Sequence, residues 1–198
     1  MQQVVRDLPT TGPIWDRFFA VAPLVVVGTL EPDGSVDLAP KHMAMPLGWE
    51  NRWCFVCSPR HATYRNARAR RAFTASFPRP EQLVAVSLAA GPRERDGAKP
   101  SLAGVPTFPA RAVEGALVEG CLLWLECELE RVVDGFGDNS LVVGRIVAAA
   151  APEEAVRDAD RDDAELLRRC PPTVYVSPGR VARAAETWSF PLHAGFRR

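Results

Sequence analysis

Residues 58–71, SPRHATYRNARARR, hold the densest group of side chains able to do chemistry on an anion. Ser58 and Pro59 mark a change from strand to helix. Arg60, His61 and Thr63 stand at its start, with Arg65, Asn66, Arg68, Arg70 and Arg71 behind them. The first backbone N–H groups of a helix have no intrahelical acceptor and attract phosphate, while hydroxyl, amide and guanidinium groups complete an oxygen shell. Lys41, arriving from another loop, adds a compact positive charge. An arginine-rich helix face in water has the same composition, so the residues alone leave both readings open.

The elements that must position this segment follow from hydrophobic period and turn residues. PIWDRFFA at 13–20 predicts a short amphipathic helix covering an end of the core. PLVVVGTL at 23–30 predicts a buried strand, EPDG at 31–34 a turn, and SVDLAP at 35–40 the antiparallel return. KHMAMPLGW at 41–49 is the exit loop of that hairpin. RWCFVC at 52–57 is a third strand, residues 61–71 a helix and FTASFP at 73–78 a further strand. On the helix, Thr63, Asn66 and Arg70 share one side through i,i+3 and i,i+7 spacing.

Residues 80–90 read as helix, and 91–110, rich in proline and glycine, as a loop. In 121–133, Leu123, Leu125, Cys127 and Leu129 alternate with Trp124, Glu126, Glu128 and Glu130. One face therefore enters the core, and the other meets solvent or an interface. Residues 140–151 supply its partner strand, 153–169 a charged link with a short helix, and 173–177 a last strand. WSFPLHAGF at 188–196 supplies apolar packing groups near the chain end. Strands with tight returns and few helices predict a mainly β fold, an antiparallel split β-barrel with short peripheral helices. The 198 residues read as one domain, with about 151–198 as a C-terminal extension.

Composition removes several function classes. Formal net charge is zero and all basic residues except Lys41 and Lys99 are arginine. This argues against tracking a nucleic-acid backbone and leaves room for one small anionic ligand. The chain has no GxGxxG at a strand-to-helix junction, no GKS or GKT phosphate loop and no GxSxG elbow. The five cysteines are irregularly spaced, and Cys54 and Cys57, three apart on a strand, point to opposite faces, so neither a disulfide framework nor a metal site is expected. The N-terminal MQQVVRDLPTTG lacks the pattern of a secretory signal, and no apolar run reaches the ~20 residues that span a bilayer, so a cytoplasmic protein without membrane contact is expected.

Four segments in order, PLVVVGTLEPDGSVDLAP, KHMAMPL, SPRHATYRN after a strand, and GDNSLVVGRIV, resemble the flavin reductase-like group of FMN-binding split-barrel proteins. The resemblance runs from about residue 20 to 150, with a weaker echo at SPGR, 177–180. It implies that Ser58, Arg60, His61, Thr63 and Asn66 build the phosphate and ribityl side of an FMN site and that Met43, Ala44 and Met45 lie beside the isoalloxazine. Lys41 is a further phosphate candidate. Methionine also fills core gaps, and His61 could serve only as a helix cap. Many relatives carry a histidine where this chain has Asn139, which cannot become cationic.

The activity implied is hydride transfer from NADH or NADPH to flavin, with no catalytic side-chain nucleophile and no metal. A partner monooxygenase or another small-molecule acceptor would then use the reduced flavin. Alternatives are an FMN-dependent oxygenase or oxidoreductase acting directly on an organic substrate, and a noncatalytic FMN or haem-related binding protein using His42, His61 or His193. The resemblance also implies a homodimer with composite sites, for which Trp124 and its glutamate neighbours offer a mixed outer face.

Overall fold

In the computed structural model, residues 4–158, 160 and 162–191 are described. β2 (Val25–Leu30) and β3 (Val36–Lys41) form the first hairpin, in register from Val25 opposite Lys41 to Leu30 opposite Val36. Its turn is closed by Glu31 and Ser35, with Gly34 at φ 87°, a conformation that glycine adopts without a Cβ penalty. The run LVVV is apolar at every position because both faces of the strand are buried. Val25 and Val27 enter the core with Phe55, Phe73 and Val142, whereas Leu24 and Val26 pack outward against Leu38, Val86 and Ala89.

The main sheet has seven strands in the order β3-β2-β6-β9-β10-β5-β4, all antiparallel. The other members are β4 (Ala44–Pro46), β5 (Arg52–Cys57), β6 (Ala72–Phe77), β9 (Leu123–Phe136) and β10 (Asn139–Ala150). β3 and β4 lie at opposite edges, yet only His42 and Met43 separate them. Three Cα steps reach at most about 11 Å, so the sheet must curl until its edges nearly meet. This is the curled half-barrel expected of the sequence, with α1 (Ala62–Arg70), α2 (Leu83–Ala89) and α3 (Asp163–Arg169) at its periphery. None of the described helices is long and apolar enough to cross a membrane.

A smaller sheet joins β1 (Ala20–Pro23), β11 (Thr173–Ser177) and β12 (Arg180–Arg183) in the order β1-β11-β12, so the C-terminal segment returns to the strand before β2. β7 (Thr107–Pro109) and β8 (Ala116–Val118) form a separate ribbon.

Five sequence expectations are corrected. Residues 13–20 make one turn, closed by Arg17 N–H on Ile14 O, and not a helix; a single turn recovers too little hydrogen bonding to offset nucleation. Trp15 and Phe19 are exposed and cover no barrel end. The strand expected at 23–30 breaks at Leu24, whose N–H bonds Thr173 O, and its two parts join different sheets. The 91–110 loop contains a helical turn at Pro100–Gly104 and strand β7. Trp188 and Phe190 are exposed and do not pack; the rest of WSFPLHAGF, from 192, lies outside the described residues.

The fifth correction concerns the outer face of β9. Trp124 donates to Val118 O at 2.7 Å and meets the Phe108 ring edge-on at 5.6 Å. Glu126 is buried, and one of its oxygens accepts the backbone N–H groups of Arg111, Ala112 and Val113 at 2.9, 2.6 and 3.3 Å. A buried carboxylate is tolerated because three donors surround it. This half of the face closes on its own chain, leaving Glu128 and Glu130 outermost.

Candidate functional site

The helix predicted at 61–71 forms as α1, directly after β5, and packs on β2, β3 and β6. Its buried side follows the predicted spacing. Thr63 Oγ1 donates to Asp37 Oδ2 at 3.0 Å, Asn66 Nδ2 reaches Thr29 Oγ1 at 3.4 Å, and Arg70 donates to Glu31 O at 2.6 Å. These bonds hold the helix across the β2–β3 hairpin. Tyr64, one residue round, donates to Asp134 at 2.8 Å, and Ser140 donates to the same oxygen at 2.6 Å, so α1 is also tied to the β9–β10 hairpin.

The N-terminus of α1 opens on a cleft of about 460 Å³. His61 is the N-cap residue, with φ −83° and ψ 145°, but its side chain makes no capping bond and the first turn contains no acidic residue. No side-chain cap and no first-turn carboxylate of the helix itself therefore offsets its positive end. Around it stand Lys41, Arg60, Arg65, Arg93 and Lys99, and a single carboxylate, Asp37.

These charges divide by their partners. Asp37 is buried and accepts from Arg93 at 2.7 Å as well as from Thr63, with Lys99 Nζ at 3.7 Å. Lys99 also donates to Leu38 O and Ala89 O, both at 2.6 Å, and Arg93 bonds Glu31. Arg93 and Lys99 therefore pin the 91–104 segment to β3. Arg60 pairs with Asp138 at 2.8 Å, with both side chains largely exposed. A pair of that kind contributes about 0–1 kcal/mol, so a phosphate dianion can take the guanidinium from it.

The sequence candidates fall into three groups. Lys41, Arg60, His61 and Thr63 line the cleft. Ser58 stands beside it, its hydroxyl accepting Arg60 N–H at 3.3 Å, and Asn66 is buried behind it. Met43 and Met45 project outward just beyond Lys41, 51% and 54% exposed, whereas Ala44 between them enters the core. Asp138 brings the GDN segment to the cleft through Arg60, with Asn139 exposed beside it. Of the histidines considered for haem, His61 lines the cleft, His42 packs on Tyr175, and His193 lies outside the described residues.

Sequence reasoning missed Asp37, Arg93 and Lys99. Lysine at only two positions of the chain, 41 and 99, was a usable signal, since both reach this cleft. Asp37 was readable as the one charge in an otherwise apolar returning strand.

Partial burial and the charges of Lys41 and Arg65 push His61 below the ordinary histidine pKa, against the pull of Asp37. Burial, then Lys41, lowers His42 likewise. Burial also pushes the Cys57 thiol up, so the sulfur 3.8 Å from His61 Nδ1 is protonated and unreactive at neutral pH. A depressed folded-state pKa means that unfolding takes up a proton that the native histidine refuses. Stability from His42 and His61 is present above the unfolded value near 6.5 and is lost as pH falls through the folded values. Histidine NMR titration should place both midpoints below 6.5. A bound phosphate group should raise His61 more than His42, and equal shifts would remove His61 from the anion site.

A family model described as flavin reductase like domain matches residues 19–177. Among solved structures, the chain is similar to nitrilotriacetate monooxygenase component B from Bacillus cereus, with TM-score 0.79 and 18% identity over 96% of this chain and 100% of that one. It is similar to flavoredoxin of Desulfovibrio vulgaris (Miyazaki F), with TM-score 0.77 and 18% identity over 96% and 100%. An FMN-binding protein from Thermus thermophilus with bound 1-cyclohex-2-enone matches with TM-score 0.72 and 23% identity over 96% and 99%.

Proposed function

We propose, from the premise that this chain belongs to the flavin reductase-like family, that it binds FMN and uses it to accept hydride from NADH or NADPH. The observation that carries the reading is the uncapped N-terminus of α1 opening on a cleft where five cations face three carboxylates, Asp37 in its wall and Glu31 and Asp138 paired to Arg93 and Arg60. A phosphate dianion supplies the charge that this arrangement lacks. The residues fit the cofactor at both ends. Backbone N–H groups at the helix start, with Lys41, Arg60 and His61, would hold the phosphate. Met43 and Met45, exposed beside Lys41, offer a polarisable apolar surface for a flat aromatic ring.

FMN, when bound, supplies the two-electron chemistry. The protein's own part is to bind, orient and exclude. Asp37 fixes Thr63 and, through Arg93, the 91–104 segment, so the cleft walls are set before ligand arrives. Lys41 and Arg60 hold charge without transferring protons. Asn139, unlike the histidine of many relatives, donates and accepts hydrogen bonds but does not titrate near neutral pH. The pH profile of turnover should therefore lack a basic limb from this position.

A second cleft, of about 790 Å³, shares Arg65, Arg93 and Lys99 with the first. It lies at the Val36 end of β3, away from Met43 and Met45. The second reading, an oxidoreductase that keeps its FMN and acts on an organic substrate, is favoured instead by the 1-cyclohex-2-enone bound to the similar Thermus thermophilus protein.

Anaerobic addition of NADH and of NADPH to the FMN-loaded protein tests the proposal. Bleaching of the flavin spectrum within the mixing time supports it, and a spectrum unchanged by either nucleotide overturns it. Turnover of free flavin then favours the reductase, whereas oxygen consumption that requires an organic compound favours the second reading. A second copy completing the site belongs to the same proposal and would appear in light scattering as an FMN-dependent rise in mass.

A further inference from the structure

The strands on either side of the candidate site are linked by His42 and Met43. Such a short connection between opposite sheet edges is a poor place for an unsupported loop. Here it is supported from outside the barrel. The His42 imidazole stacks on Tyr175 with ring centroids 4.3 Å apart and planes 27° from parallel. Tyr175 sits on β11, packs against the outer core of Leu24, Val26 and Leu38, and accepts Gly179 N–H on its hydroxyl at 2.8 Å. It is thus held at both ends of its ring before it meets His42.

His42 lies between Lys41, which lines the anion cleft, and Met43, which projects outward. Fixing His42 constrains both neighbours through the backbone, because the bend at 42–43 is only two residues long and is anchored by β3 on one side and β4 on the other.

We propose that Tyr175 is a positioning residue, which through the His42 stack sets the 41–45 segment for the cofactor and makes the C-terminal β11–β12 hairpin part of the binding site. The proposal rests on the FMN reading for its function, but the rigidity it claims is a property of the protein without ligand. Tyr175 touches no cofactor itself and acts only through His42.

The chain's three methionines, Met1, Met43 and Met45, give a direct readout. In protein carrying 13C-methyl methionine, Met43 and Met45 should give two dispersed methyl resonances without FMN. Tyr175→Ala should move both toward the free-chain position and lower FMN affinity about tenfold, since two flexible side chains must then be ordered on binding. Tyr175→Phe keeps the stack and loses the hydroxyl, and should retain the dispersion. If Tyr175→Ala fails to fold, His42→Ser removes the stack from the other side without touching β11 and should give the same methyl collapse. Unchanged methyl positions in either of these variants, or collapse in Tyr175→Phe, would overturn the proposal. A wild-type protein with dispersed methyls and no affinity for FMN would instead overturn the FMN reading and leave the positioning result standing.

Discussion

Replacing His61 with aspartate should make the protein more stable and at the same time close its cofactor site. His61 occupies the N-cap of α1 with the extended backbone that an N-cap needs, but its side chain caps nothing. Aspartate there accepts first-turn N–H groups and interacts favourably with the helix dipole, a gain of about 0.5–2 kcal/mol. For a chain of this size that corresponds to a rise in Tm of roughly 2–4 °C per kcal/mol.

The same carboxylate occupies the donors proposed for phosphate and sets a negative charge beside them. Like-charge juxtaposition costs several kcal/mol, so FMN affinity should fall a hundredfold or more. His61→Asn caps without the charge and should show the stability gain with a smaller affinity loss. Thermal melts and flavin fluorescence titration on the same preparations separate the outcomes. A higher Tm with unchanged FMN affinity would mean that the arginine-rich start of α1 is only a solvated face. A lower Tm would remove the capping argument.

The second large effect lies in the barrel interior. Phe73 is fully buried, and its ring meets Phe55 edge-on at 5.1 Å. Phe73→Ala should cost about 3–5 kcal/mol, the loss of apolar burial plus the cavity left behind. Across from it, a Cβ at Gly144 would lie 2.5 Å from two carbons of the Phe73 ring and 2.9 Å from Cys127 Cβ. Gly144→Ala should cost about 1–3 kcal/mol by overpacking. The two changes should couple, since shrinking Phe73 makes the space that alanine at 144 needs. Urea unfolding of both single variants and the double variant should give a double variant at least ~1 kcal/mol more stable than the sum of the singles predicts. Simple additivity would mean that the strain at Gly144 comes from Cys127 and the strand backbone.

The sequence was most legible where local pattern and tertiary use agree. The hairpin of β2 and β3, strand β5 and helix α1 have sharp boundaries in RWCFVC and SPRH, and they form within a residue or two of the predicted limits. It was least legible where a distant segment decides. PIWDRFFA carries helical spacing, but Trp15, Phe18 and Phe19 stay exposed, so little apolar burial offsets the entropy of ordering, and its last residue, Ala20, instead begins β1, which pairs with Val174–Ser177 about 150 residues away. Glu126 reads as a solvent position of an alternating strand and becomes buried only because the 111–113 backbone folds over it.

The site divided in the same way. Arg60, His61 and Thr63 lie in a single strand–loop–helix passage after β5 and were found together, with Lys41 added from another loop. Asp37 needed Arg93 and Lys99 to explain its burial, and those two arrive from a loop whose composition announces irregularity and says nothing of destination. Residue type carried the signal there, and spacing did not.

The two-residue link between the sheet edges also bears on how the chain is made. Synthesis from the N-terminus delivers β2, β3, β4, β5 and β6 first, which amount to two separate pieces of sheet, β3-β2-β6 and β4-β5, joined at His42 and Met43 and through the α1 segment between β5 and β6. Both pieces present an unpaired inner strand, β6 on one and β5 on the other. The missing middle is the β9–β10 hairpin, which emerges some 50 residues later and pairs with β6 on one side and β5 on the other. The barrel is therefore closed from its centre and not at its seam, and a nascent or truncated chain ending before residue 123 would carry two open strand edges exposed to pairing with other chains.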